Sequence, residues 1–174
     1  RLPVRFDQYT LLRRIGEGGM GAVYEAREDG EVRSVALKLL APELGDDRVQ
    51  LARYFREIAT LTWVECPHVV RIVDAGFSQG RYYLCMELVP GRTALQVLRD
   101  HGPMEIADAL RVAVDLCRAV DALLEKGLVH RDIKPGNVVI GDDKRATLID
   151  FGLAKSRTEE ALTSTSEILG TAEY

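Results

Sequence analysis

Leu128-Val129-His130-Arg131-Asp132-Ile133-Lys134-Pro135-Gly136-Asn137 is followed, thirteen residues after Asn137, by Asp150 in the run Leu148-Ile149-Asp150-Phe151-Gly152. Taken singly, each of these is an ordinary polar loop residue. Taken together, eight fixed residues at about one chance in twenty per position coincide by accident about once in 10^10 starting points. The first run begins where a helical pattern ends. From Glu105 to Lys126 the polar residues Glu105, Asp108, Arg111, Asp115, Arg118, Asp121 and Glu125 recur every three or four positions on one narrow stripe. Nearly everything between them is Ala, Val, Leu, Ile or Cys. A helix apolar around most of its circumference needs neighbours on several sides. The other segments read mostly as short strands and loops, so further packing helices are expected to be missing. With Arg1 in place of Met, and no helix-stop chemistry at Tyr174, the chain is expected to be a piece of a longer protein.

Toward the amino terminus the periodicity changes. Pro90-Gly91 breaks the chain and suggests a boundary there, ahead of a short helix over Thr93–Asp100 closed by Gly102-Pro103. Val69–Asp74 and Tyr82–Leu88 are extended apolar runs around the turn formers Ser78-Gln79-Gly80. From Arg48 to Val64, Leu51, Phe55, Ile58 and Leu61 recur at helical spacing. From Tyr9 to Leu40 the pattern is short strands around glycine turns, and residues 1–8 read as a linker.

Three features of this half carry chemistry. Gly16-Glu17-Gly18-Gly19-Met20-Gly21-Ala22-Val23 is a G-x-G-x-x-G-x-V run, and glycine lets backbone N–H groups approach phosphate oxygens closely. A dinucleotide-binding version needs a helix directly afterwards. Val23-Tyr24-Glu25-Ala26 reads as a strand instead, which favours a glycine-rich hairpin. Lys38 alternates with Leu37 and Leu39 and shares a face with Ala36. On an edge strand it would be a surface lysine. Val35, Leu37, Leu39 and Leu40 flank it with apolar residues on both sides, however, so the strand reads as central and the buried ammonium needs a carboxylate or phosphate partner. Glu57 has two readings as well. It pairs with Arg53 on the surface, for about 0.3–0.5 kcal/mol, or it faces inward with Tyr54 and Leu61 toward Lys38.

Composition excludes several classes. A net charge of −4 argues against a basic nucleic-acid binder. No charge-free run exceeds seven residues, so nothing approaches a membrane span or a signal peptide. Cys66, Cys85 and Cys117 are widely spaced and include no Cys-x-x-Cys pair, which suits a reducing cytosol.

From about Tyr9 to Tyr174 these motifs, in this order, resemble the eukaryotic-like protein kinases, especially the bacterial serine/threonine kinases. The resemblance implies an α+β two-lobe fold. Residues 9–89 would form an N-lobe of antiparallel sheet with one helix, and residues 90–174 a partial, mainly helical C-lobe. It also implies transfer of the ATP γ-phosphate to Ser/Thr hydroxyls of protein substrates, with Mg²⁺ as the metal and Mn²⁺ as an admissible replacement. Within the loop Ile15-Gly16-Glu17-Gly18-Gly19-Met20-Gly21, the glycines Gly16, Gly18 and Gly21 would cover the ATP phosphates. Lys38 would hold the α/β-phosphates while pairing with Glu57. Val23, Ala36 and Val139 would sandwich adenine beside the gatekeeper Met86, and the backbones of Glu87 and Val89 would hydrogen-bond it. Asp132 would accept the substrate hydroxyl proton, Lys134 would steady the γ-phosphate, and Asn137 and Asp150 would bind the metal. Leu61, Ile72, His130 and Phe151 would stack between the lobes. Thr163 and Thr165 resemble autophosphorylated threonines whose phosphate partners Arg131, and dimerisation would allow phosphorylation in trans.

The resemblance further implies a cytoplasmic location, with any membrane anchor outside this stretch. Two departures from the family pattern are noted. Cys66-Pro67-His68 stands where His-Pro-Asn is usual, with little consequence expected, and Gly136 is expected to loosen its loop slightly. A non-catalytic nucleotide-binding or scaffolding module is the second reading, supported only by the truncation, since Lys38, Asp132 and Asp150 are all present. A small-molecule kinase of the aminoglycoside-phosphotransferase type is the third. Such enzymes typically lack a lysine at the Lys134 position and the full Asp-Phe-Gly.

Overall fold

The computed structural model describes residues 2–151, which divide into two compact units. One runs to Thr62 and resumes over Arg71–Leu88; the other takes Trp63–Val70 and the chain from Val89 onward.

The first unit is a six-stranded antiparallel sheet with one helix, its strands numbered along the chain from β1 (Val4–Phe6) and ordered β1-β2-β3-β4-β6-β5. Strands β2 (Tyr9–Gly18) and β3 (Gly21–Glu28) form a hairpin that closes at Gly18 opposite Gly21. Strand β4 (Ser34–Leu40) lies between β3 and β6 (Arg81–Glu87), and β5 (Ile72–Ser78) is an edge strand. Central placement explains the burial of β4 on both faces. Leu37 and Leu39 join Phe6, Tyr9, Leu11, Ala26, Tyr83 and Cys85 in one apolar cluster, while Ala36, Lys38 and Leu40 are buried on the opposite face. The cluster encloses a polar knot, in which Tyr83 and Tyr9 donate to Oδ2 of Asp74 at 2.7 and 3.2 Å. Burial pushes both phenols up and moves the Cys85 thiol to about 11, so none of the three ionises near neutral pH.

Residues 1–8 are not simply a linker. Val4–Phe6 forms β1, paired with Tyr9–Leu11, and Phe6 is buried edge-on against Tyr83 with ring centroids 5.7 Å apart. A three-residue strand with one inward side chain is too short to show a period of two. Helix α1 (Arg48–Leu61) starts on Asp47, whose Oδ1 accepts from the N–H groups of Val49 and Gln50. It buries Tyr54, Ile58 and Leu61, at spacings of four and three. It stops three residues before the expected Val64. There the Thr62 hydroxyl bonds back to the Ala59 carbonyl, and the following strap, Trp63–Val70, belongs to the second unit.

The second unit holds β7 (Arg92–Thr93), α2 (Ala94–His101), α3 (Ile106–Leu124), β8 (Val138–Ile140) and β9 (Ala146–Leu148), with the strands ordered β7-β8-β9. A reciprocal pair of bonds between Thr93 and Gln96 starts α2. The polar stripe of α3 is not uniformly solvated: Asp115 is buried in line with Ala119 and Leu123. Among the described residues the opposite, apolar face is open, with Ile106, Leu110, Val114 and Leu124 exposed.

Candidate active site

In the second unit, the segment after α3 places its side chains through an unusual backbone. Arg131 has φ of 63°, a left-handed conformation that a non-glycine side chain adopts at a cost of roughly 1–3 kcal/mol. That turn brings the Asp132 N–H to Nδ1 of His130 at 3.2 Å. Asn137, 8% exposed, donates its amide to both the carbonyl and Oδ2 of Asp132, each at 2.9 Å. Nζ of Lys134 lies 2.9 Å from the same Oδ2. One carboxylate oxygen therefore takes two donors, which fixes the orientation of Asp132 before any substrate arrives. A single-turn 3-10 segment, Pro135–Asn137, makes this possible by folding Asn137 back under Lys134, whose carbonyl accepts the Asn137 N–H.

His130 is buried, and desolvation lowers its pKa to about 4, against the opposing pull of the Asp150 and Asp132 charges. The ring is neutral near pH 7. Because Nδ1 accepts from Asp132, the proton is assigned to Nε2. The Asp150 main chain favours that proton, yet Nε2 is buried without a regular hydrogen-bond partner among the described residues. The ring also lies against Phe151, centroid to centroid 5.0 Å.

Asp150 stands two residues past the end of β9. The Ile149 N–H, one residue before it, is held by the Asn137 carbonyl at 2.9 Å, so one backbone bond ties the two expected metal ligands together. The donor set suits Mg²⁺. The Asn137 amide nitrogen is committed to Asp132, and its oxygen bonds nothing among the described residues. One amide oxygen and one carboxylate are what a cation sharing its sphere with phosphates and water asks of a protein. Among the described residues no cluster of three or more His, Cys, Asp or Glu side chains could hold a metal alone.

In the first unit, the glycine-rich hairpin spans the end of β2 and the start of β3, and its glycines divide by role. A Cβ at Gly18 or Gly19 would meet nothing within 4 Å, and one at Gly16 would make only ordinary contact with Val23. Gly21 is different. At φ of 129°, its Cβ would fall 2.0 Å from the Leu39 carbonyl oxygen, beside the bond from Ala41 N–H to Met20 O. Gly16, Gly18 and Gly19 leave backbone open, whereas Gly21 is required by close approach to β4. Glu17 is exposed and paired with Arg14, and Ile15 is exposed. Lys38 is only 4% exposed, opposite Val23 on one side and Leu84 on the other. Ala36 and Met86 are buried partners across β4 and β6. Glu57 is half-buried on α1. The Glu87 N–H is already committed to the Arg71 carbonyl at 2.9 Å, so an adenine contact from Glu87 falls to its carbonyl. Leu61 and Ile72 are buried in this unit, and Val139 is buried and Val89 half-buried in the other. Gly152, Thr163 and Thr165 lie outside the described residues.

The sequence reading missed His68 and Asp115, which the structure buries together beside β9. Their only trace in the sequence was the departure at Cys66-Pro67-His68 and an acidic residue within the helical stripe, and neither marks a buried pair.

Comparison with known proteins agrees with this geometry. The protein kinase domain family matches residues 9–174. The chain is 38% identical to the serine/threonine-protein kinase PknD of Mycobacterium tuberculosis, over 98% of this chain and 26% of that protein. It is 39% identical to PknE of the same species, over 98% of this chain and 30% of PknE. It thus spans less than a third of the length of these relatives. The crystal structure of the M. tuberculosis PknI kinase domain superposes with a TM-score of 0.78 at 32% identity, covering 87% of this chain and 61% of that one. The apo form of PpkA-294, 22% identical with a TM-score of 0.80, shares the fold. With motif order, two-unit architecture and whole-chain similarity in agreement, the chain belongs to the protein kinase domain family.

Proposed function

We propose that this chain carries the nucleotide-binding and phosphoryl-transfer machinery of a protein serine/threonine kinase, with Asp132 as catalytic base. The observation that carries the reading is the Asp132–Lys134–Asn137 network, in which one buried carboxylate is oriented by two donors. The substrate Ser or Thr hydroxyl gives its proton to Asp132 as its oxygen bonds to the γ-phosphorus, and the bond to the ADP oxygen breaks. Such a transfer has a loose transition state, so positioning and charge neutralisation supply most of the acceleration. Charge neutralisation at the phosphates would be the chemistry supplied by Mg²⁺. Asn137 and Asp150 would hold it, and Mn²⁺ would serve in its place. Lys38, paired with Glu57, neutralises the α/β-phosphates, and Lys134 steadies the γ-phosphate. The open backbone of Gly16, Gly18 and Gly19, with Ile15, Glu17, Met20 and Gly21, covers the phosphates. Val23, Ala36 and Met86 are the adenine-contacting residues of the first unit and Val89 and Val139 those of the second, and the Glu87 carbonyl receives the adenine amino group.

The substrates are proteins with Ser/Thr acceptors, and the catalytic domain works in the cytoplasm. No helix among the described residues is long and apolar enough to cross a membrane. The test is γ-phosphate transfer to a generic protein substrate by the catalytic domain within its full-length chain. Asp132→Asn and Lys38→Met should each lower kcat by at least ~100-fold. Wild-type rates in either variant would remove that residue from the site. Autophosphorylation on Thr163 or Thr165, in trans between two copies, would raise activity by giving Arg131 an anionic partner. Phosphopeptide mapping together with a Thr163→Ala/Thr165→Ala double variant decides this, and full activity in that variant would sink the activation claim alone.

A further inference from the structure

The strap Trp63–Val70 runs beside β9 with a parallel bridge between Val69 and Leu148. Its main chain already holds the strand: Leu148 N–H donates to the His68 carbonyl and Val70 N–H to the Leu148 carbonyl, each at 2.9 Å. Thr147 Oγ1 adds a bond to the Pro67 carbonyl at 3.3 Å. Two side chains then grip one residue of β9 through both its polar groups. Nδ1 of His68 donates to the Ala146 carbonyl at 2.9 Å, and Oδ2 of Asp115 accepts the Ala146 N–H at 3.1 Å.

The two side chains also meet each other, Nε2 of His68 lying 3.6 Å from Oδ1 of Asp115, which additionally accepts from Arg118 at 3.3 Å. His68 is 7% exposed, Asp115 5% and Ala146 0%. Polar groups buried this deeply are costly unless each finds a partner, and here the partners converge on a single alanine. From that alanine β9 leads through Ile149, anchored to the Asn137 carbonyl, to Asp150.

We propose that His68 and Asp115 are positioning residues for the metal-binding pair Asn137 and Asp150, clamping the Ala146 peptide so that β9 delivers Asp150 at a set distance from Asn137. The proposal rests on the kinase reading of those two ligands. Neither clamp residue touches substrate or metal. A clamp working through hydrogen bonds is separable from one that only fills space. In His68→Asn, the amide nitrogen takes the place of Nδ1 and still donates to Ala146. In Asp115→Asn, the amide oxygen still accepts the Ala146 N–H while its nitrogen faces Nε2 of His68. His68→Leu fills the volume and donates nothing.

The test uses the catalytic domain within its full-length chain. Mn²⁺ is titrated in the presence of a non-hydrolysable ATP analogue and read by water-proton relaxation. Amide exchange is followed at Ala146, Leu148 and Ile149. His68→Leu should weaken Mn²⁺ binding on the order of 10-fold, with metal-free nucleotide affinity unchanged and faster exchange at the three amides. His68→Asn and Asp115→Asn should stay within about 3-fold of wild type. Should His68→Leu not fold, His68→Ala is read in its place against His68→Asn. Unchanged Mn²⁺ affinity in His68→Leu, or equal loss in His68→Leu and His68→Asn, overturns the clamp. A wild-type domain that binds Mn²⁺ with nucleotide but transfers no phosphate refutes the catalytic reading alone, since the metal titration still judges the clamp. A wild-type domain that binds no Mn²⁺ refutes the ligand assignment and the clamp with it.

Discussion

The glycine-rich hairpin and the loop from His130 to Asn137, which the proposed function sets to work on one highly charged substrate, are built in opposite ways. Gly18 and Gly19 carry no side chain, and a Cβ at either would meet nothing within 4 Å, so the polar groups these two residues offer are backbone alone. The loop from His130 to Asn137 is bound to itself through side chains. Asp132 is held by Asn137 and Lys134, His130 by the Asp132 N–H, and Arg131 sits in a left-handed turn. An open hairpin can adapt to phosphates but holds nothing in place by itself. A cross-bonded loop is oriented in advance, and for a proton acceptor orientation is the greater part of the task. On the proposed function, adaptability thus lies where charge would be covered and rigidity where a proton would move.

The sharpest way to break this contrast is to remove glycine from the hairpin at two positions. Gly21→Ala should destabilise the protein by roughly 3 kcal/mol, since neither the positive φ nor the Leu39 carbonyl can give way. Gly18→Ala should fall within about 0.5 kcal/mol in a denaturant melt. Comparable losses at both sites would show that Gly18 is as constrained as Gly21.

On the loop side, the depressed His130 pKa makes stability depend on pH. Above pH 6.5 the ring is neutral whether folded or unfolded. As pH falls from 6.5 toward 4, the unfolded chain takes up a proton that the folded ring refuses, and stability is lost. The loss attributable to His130 is roughly 2–3 kcal/mol over that window. Melting wild type and His130→Phe across the same range isolates it, because the carboxylates titrate in both. Parallel slopes would mean that His130 is not buried neutral.

The smallest effect concerns Gly136, expected from the sequence to loosen the loop. A Cβ there meets only Leu95 Cδ2, at an ordinary 3.8 Å, and the backbone needs no positive φ. Gly136→Ala should therefore stabilise by about 0.4–1 kcal/mol through the unfolded chain. Destabilisation would reveal that the loop uses glycine's freedom.

Several features were legible because they are local. The glycine hairpin, the start of α2 at Thr93, the burial of Lys38 on a central strand and the two motifs at His130–Asn137 and Asp150–Gly152 depend on neighbours in sequence, on alternation, or on residue types that few folds combine. The inward face of α3 was not legible in the same way. A helix apolar on nearly every side shows no preferred face, so nothing in its period said that Asp115 points inward while Ile106 and Leu110 stay exposed.

What the sequence by itself determined is thus the family, the order of the elements and the residues available for chemistry. Tertiary structure alone decided the rest. It turned Val4–Phe6 into a strand, because three residues become one only when β2 lies beside them. It made Gly21 indispensable through a carbonyl from β4, eighteen residues further along the chain. It joined His68 and Asp115 across Ala146, bonds that close over 78 and 31 residues. The physical reason is the same in each case. Local pattern records what a residue can do, whereas a buried polar group finds its partner only once segments distant in sequence are packed together and water is gone.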